Sequence, residues 1–126
     1  MLAILIAEDD KQLGRALELY LGSFGFDALL HETAEDVRRA AISRNGDFVF
    51  ALVDYQLGED SGIELSRWLL NRYPNLSLVL MSGFPPDEQL DITGLGDRAI
   101  FLQKPFHPKD VISCFRTLRP LLMMSV

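Results

Sequence analysis

The stretch Phe48–Gly62, FVFALVDYQLGEDSG, decides the fold. Phe48–Val53 is apolar without a break and shows neither alternation nor a helical period. A short run of this kind, stopped by an acid at Asp54, is a strand buried on both faces. Strands buried on both faces belong to parallel sheets sandwiched between helices. Tyr55–Asp60 then reads as a polar loop containing Gly58. Ser61 is positioned to cap a helix whose Leu65, Trp68, Leu69 and Tyr73 share one face and which Pro74 ends.

The same alternation extends in both directions. Leu2–Ala7 is an apolar strand running into Glu8, Asp9 and Asp10. Gln12–Phe24 carries Leu13, Leu17, Leu21 and Phe24 on one helical face, with Gly22 and Gly25 at its end. Ala28–His31 is a short second strand. Thr33 caps a helix with Asp36 three residues on; Val37, Ala40 and Ala41 form its inner face and Asn45-Gly46 closes it. Toward the C-terminus, Leu76–Met81 is a fourth strand closed by Ser82-Gly83. Phe84–Arg98 is poorly periodic, with one helix-compatible piece at Asp87–Ile92. Ala99–Gln103 is a fifth strand. His107-Pro108 opens a last helix with Val111, Phe115, Leu118 and Leu122 on one face, which Pro120 is expected to shorten. Five strands alternating with helices predict a doubly wound α/β fold, one domain over residues 1–126.

Composition narrows the function. The chain has 126 residues, 48% hydrophobic and 24% charged, which supports a packed core rather than disorder. Twelve Lys+Arg against eighteen Asp+Glu leave a net charge of -6, which argues against direct nucleic-acid binding. Cys114 is the only cysteine, so an internal disulfide or a four-cysteine zinc site is excluded. The apolar start is too short for a signal peptide, and no run is long enough for a membrane span. The expectation is a cytoplasmic domain.

The chemically distinctive residues fall at strand ends. Glu8 and Asp9 follow the first strand, Asp54 ends the third, Ser82 and Gly83 the fourth, and Lys104 the fifth. In an open parallel sheet these carboxyl ends lie along one edge, where ligands bind. Glu8, Asp9 and Asp54 make a hard-oxygen site suited to Mg²⁺. Without a metal, the cluster repels itself and raises a pKa. Lys104 supplies a cation, Ser82 a hydroxyl and Gly83 an unobstructed backbone N–H, the groups needed around a phosphoryl group. Asp54 is the natural nucleophile, forming an aspartyl phosphate.

This constellation resembles the receiver domain of two-component response regulators, of the chemotaxis-regulator-like kind. The resemblance rests on ILIAEDD (Ile4–Asp10), FALVDYQLGEDSG (Phe50–Gly62), LVLMSG (Leu78–Gly83) and FLQKPF (Phe101–Phe106), in that order along the chain. It implies a flavodoxin-like sheet of strand order 2-1-3-4-5. It implies that Asp54 is the phosphoacceptor and a metal ligand, that Asp9 ligates Mg²⁺ directly and Glu8 through water, and that Gln56 offers its backbone carbonyl. Ser82 becomes the switch hydroxyl, Phe101 the switch aromatic, and Gly83 and Lys104 the phosphate-binding groups, with a cis Lys104–Pro105 bond. Implied partners are a sensor histidine kinase or a histidine phosphotransfer protein, and an output partner the sequence does not name; a phosphorylation-dependent dimer is compatible. The resemblance makes the chain a phosphoacceptor that catalyses its own phosphorylation and dephosphorylation, not a turnover enzyme.

The chain departs from the family in three places. The loop after Asp54 lacks the commoner Leu-Pro-x-x-x-Gly form. Prolines and glycines interrupt the fourth helix, and Phe101 has no hydroxyl. Two other functions use similar residues. A haloacid-dehalogenase-type phosphatase needs an acid two residues after its nucleophile, where this chain has Gln56. A non-phosphorylated interaction module would be expected to lack one of the acids or Lys104. Elsewhere the plainer readings hold: Asp10 as a helix cap, Glu59 and Asp60 as solvated charges, Trp68 and Phe115 as core, His31 and His107 as structural, Cys114 as redox-inert.

Overall fold

The computed structural model describes residues 2–84 and 92–126. The elements run β1 (Ala3–Ala7), α1 (Lys11–Ser23), β2 (Asp27–His31), α2 (Ala34–Ser43), β3 (Phe50–Asp54), β4 (Gln56–Leu57), β5 (Asp60–Ser61), α3 (Gly62–Arg72) and β6 (Ser77–Ser82). A 3₁₀ turn (Ile92–Leu95), β7 (Ala99–Gln103), α4 (Pro108–Leu118) and α5 (Pro120–Met123) complete the chain. The five long strands form one parallel sheet in the order β2-β1-β3-β6-β7. Counting only those strands, this is the expected order 2-1-3-4-5.

Side-chain alternation sorts the sheet's two faces. Leu5, Ala51, Val53, Leu78 and Leu80 meet Val37 of α2 and Leu65 and Leu69 of α3. Ile4, Ile6, Phe50, Leu52, Val79 and Met81 meet Leu17 and Leu21 of α1 and Val111 and Phe115 of α4. On that second face the Phe50 and Phe115 rings stack with centroids 3.9 Å apart. β1, β3 and β6 are buried throughout, whereas the edge strands β2 and β7 are largely half-buried. Among the described residues no helix is long and apolar enough to cross a membrane.

The caps follow the sequence. Asp10, Thr33 and Ser61 each accept from backbone N–H groups of the helix they precede, and His107 and Asp110 close a reciprocal capping box on α4. α4 stops at Leu118, and Pro120 opens a separate short helix.

Several expectations need correction. β3 begins at Phe50 rather than Phe48, because the Phe48 N–H is taken by Gly46 O in a tight turn (2.8 Å). The segment read as a polar loop contains a small antiparallel ribbon, with Gln56 opposite Ser61 and Leu57 opposite Asp60. Leu57 is buried in the core beneath it. Trp68 is only half-buried, with the guanidinium carbons of Arg38 and Arg72 5.8 and 5.5 Å from its ring centroid. The helix-compatible piece Asp87–Ile92 lies outside the described residues except for Ile92, which opens the 3₁₀ turn.

Candidate functional site

Register brings the site together. β1 and β3 are neighbours, with Ala7 opposite Val53, so Glu8 and Asp54 emerge side by side. The strand order reverses direction at this pair, which opens the crevice where ligands bind in such sheets. β6 flanks β3 on the other side with Met81 opposite Asp54. β7 flanks β6 with Ser82 opposite Gln103, and the Lys104 N–H continues that ladder to Ser82 O at 2.7 Å. The Lys104–Pro105 bond is cis.

Glu8 and Asp54 are only 1% and 8% exposed, so both carboxylates need partners. Lys104 serves both, its Nζ lying 2.8 Å from Glu8 Oε1 and 2.9 Å from Asp54 Oδ2. Backbone donors take the remaining oxygens. The Asp10 N–H donates to Glu8 Oε2 at 3.1 Å and the Gln56 N–H to Asp54 Oδ1 at 3.2 Å. Burial lifts the Glu8 carboxyl from 4.5 to about 7, and the Asp54 carboxylate adds to the rise against the opposing pull of Lys104. Burial also works against the Lys104 ammonium, but its bonds to Glu8 and Asp54 outweigh that and raise its pKa.

Asp9 is exposed and completes the acidic group. One carboxylate oxygen from each of Glu8, Asp9 and Asp54 lies within 4.8 Å of the others. Three hard-oxygen donors at this spacing, one facing solvent, fit a Mg²⁺ ion that keeps several waters. Burial is the main cause of the raised Glu8 pKa, and repulsion from Asp54 is only a minor contributor.

The other predicted residues lie around this centre. Ser82 is buried, and its Oγ accepts from the Phe84 N–H at 3.0 Å. Gly83 is exposed, and a Cβ there would meet nothing within 4 Å, so steric clearance does not explain this glycine. Gln56 is exposed, and its side-chain amide donates to Gly58 O at 2.6 Å. Phe101 is half-buried on β7, opposite Leu80. Phe84 is 57% exposed, and its ring meets Tyr55 edge-on at 6.2 Å. Asp10 is a helix cap, as expected, with its Oδ1 on the Gln12 and Leu13 N–H groups.

Three features had no role assigned from sequence. Glu8 is a direct partner of Lys104. The Gly58 N–H donates to Asp9 Oδ2 at 2.9 Å. An ideal Cβ on Gly62 would fall 1.9 Å from Asp54 O, so only glycine fits there. The glycines themselves were the only trace of the last two.

Residues 4–116 match the response regulator receiver domain family. The response regulator receiver protein CpdR of Brucella abortus is 31% identical over 115 residues, covering 90% of this chain and 92% of CpdR. The transcriptional regulatory protein GltR of Pseudomonas aeruginosa is 27% identical over 119 residues; these cover 92% of this chain and 48% of GltR, so the chain spans about half that relative's length. A response regulator receiver protein from Sinorhizobium medicae has the same fold, with a TM-score of 0.82 at 22% identity over 95% of each chain. With a family match over most of its length and the fold of solved receivers, this chain belongs to the response regulator receiver domain family.

Proposed function

We propose that Asp54 is the phosphoacceptor of this receiver domain and that the phosphoryl group comes from a phosphohistidine on a sensor kinase or phosphotransfer protein. The observation carrying this reading is the Lys104 ammonium held between Glu8 and Asp54, with Asp9 beside them. An Asp54 carboxylate oxygen attacks phosphorus as the phosphorus–nitrogen bond breaks. The electron pair returns to the imidazole, which takes up a proton from solvent. Lys104 sets a positive charge where the anionic phosphoryl oxygens arrive, and the Gln56 N–H steadies the other Asp54 oxygen. Glu8, Asp9, Asp54 and the Gln56 carbonyl would hold Mg²⁺, which supplies charge neutralisation for those oxygens when bound.

Ser82 and Phe101 are the residues we assign to the switch, and Gly83 to phosphate binding alongside Lys104. Asp10, Leu13, Lys104, Pro105 and Phe106 line a depression beside the site that suits the donor's approach. Receiver domains are phosphoacceptor signalling modules rather than turnover enzymes. Self-catalysed phosphorylation and dephosphorylation, and a cytoplasmic setting, are part of the proposal. Gln56 has no acidic proton for phosphatase chemistry of the haloacid-dehalogenase kind.

The test is acetyl phosphate with Mg²⁺, followed by intact-mass measurement. Wild-type protein should gain one phosphoryl group and Asp54→Asn none. Equal labelling of both would place the acceptor elsewhere.

A further inference from the structure

We infer that Gly58 is a positioning residue for Asp9: its backbone N–H holds Oδ2 and so fixes the rotamer in which that carboxylate meets Mg²⁺. The inference rests on the reading of Asp9 as a metal ligand. The Gly58 N–H···Asp9 Oδ2 bond is 2.9 Å long and joins residues 49 apart in sequence. Gly58 lies at φ +58°, a left-handed conformation that glycine adopts without penalty.

The backbone on both sides of the Gly58 Cα is held. Gln56 Nε2 donates to Gly58 O at 2.6 Å, Leu57 is buried in the core, and Gln56 and Leu57 pair with Ser61 and Asp60. Asp9, by contrast, is exposed, and the Gly58 N–H is the one hydrogen bond its carboxylate accepts among the described residues. An exposed carboxylate samples several rotamers, and fixing it before the metal arrives removes part of the ordering cost. Hydrogen bonds from a neighbouring group to a ligating carboxylate act this way in metal sites generally.

The sequence adds a second line of support. Set against the commoner Leu-Pro-x-x-x-Gly form, Leu57-Gly58-x-x-x-Gly62 has glycine in the proline's place. Proline has no N–H and cannot reach φ +58°. The departure from the family pattern in this loop therefore creates the donor that Asp9 uses.

The test removes the N–H without changing the backbone shape. Replacing residue 58 by glycolic acid converts its amide to an ester. Gly58→Asn keeps the N–H and tolerates positive φ. Mg²⁺ is titrated into each protein by calorimetry, and Asp54 labelling by acetyl phosphate is followed against Mg²⁺ concentration. The ester protein should bind Mg²⁺ about tenfold more weakly, with an unchanged labelling plateau at saturating metal. Gly58→Asn should bind within about twofold of wild type. Unchanged affinity in the ester protein, an equal loss in Gly58→Asn, or a loss confined to the plateau would each overturn the inference. Wild-type protein that takes up no Mg²⁺, or whose uptake ignores Asp9→Ala, would overturn the metal-site reading and this inference with it.

Discussion

Gly62→Ala sets two physical effects of opposite sign against each other. Gly62 is the first residue of α3, where alanine is the better helix former by up to about 1 kcal/mol. Propensity alone therefore favours the variant. The structure opposes it: the new Cβ would fall 1.9 Å from Asp54 O and 2.8 Å from both the Asp54 carbonyl carbon and Tyr55 Cα. Real Cβ contacts essentially never fall under 3.0 Å, so something must move by more than an ångström. The wall is main chain and is pinned. Asp54 sits in the β3–β6 register, the Tyr55 N–H donates to Met81 O at 2.8 Å, and the Gly62 N–H donates to Tyr55 O at 2.8 Å. The movable partner is α3, which carries Leu65 and Leu69 in the core. Overpacking costs about 3 kcal/mol where neighbours cannot yield, leaving a net loss of about 2 kcal/mol. With a urea slope of about 2 kcal/mol/M, the unfolding midpoint should fall by about 1 M. Asp54 labelling should slow as well, because the new Cβ presses on the carbonyl of the residue proposed as acceptor. Ser61→Ala is the control: it removes only a cap, at about 1 kcal/mol, and should leave labelling intact. A Gly62→Ala protein as stable as wild type, labelled at the same rate, would refute the steric reasoning.

Three further outcomes separate the neighbouring groups. Asp9→Ala should weaken Mg²⁺ binding measured by calorimetry with little effect on stability, whereas Asp10→Ala should cost about 1 kcal/mol in urea unfolding with little effect on Mg²⁺, since Asp10 caps α1; equal metal losses would reassign the ligand. Glu8 titrates near 7 in the fold against 4.5 unfolded, so between those pH values the native state holds the extra proton and stability falls as pH rises. The loss in EDTA should be on the order of 3 kcal/mol, and Glu8→Gln should abolish it; equal slopes in urea unfolding of the two proteins would refute this origin. Phe84 stands beside Tyr55 at the rim of the site, and Phe84→Ala should speed decay of the phosphorylated protein several-fold by easing water's approach to the acyl phosphate; decay at the wild-type rate would show that the lifetime is set elsewhere.

By itself, the sequence determined the order of the five long strands and of the long helices between them, and which residues reach one sheet edge. β7 was legible to the residue, and β1, β3 and β6 nearly so, because parallel strands packed between helices leave continuous apolar runs that end abruptly in polar residues. Asp54 and Lys104 stood out for the same reason, as charges placed where the apolar runs stop. The caps at Asp10, Ser61 and His107 were legible because capping is local chemistry. Tertiary structure alone decided how these groups are paired. Lys104 meets Glu8 across 96 residues and Gly58 meets Asp9 across 49, and no periodicity encodes which donor finds which acceptor. The buried Leu57 and its ribbon were hidden because two-residue strands are too short to show alternation. Gly62 is the sharpest case. Its role depends on main-chain atoms brought within 1.9 Å of an absent side chain, and a missing Cβ leaves no mark in the sequence except the glycine itself.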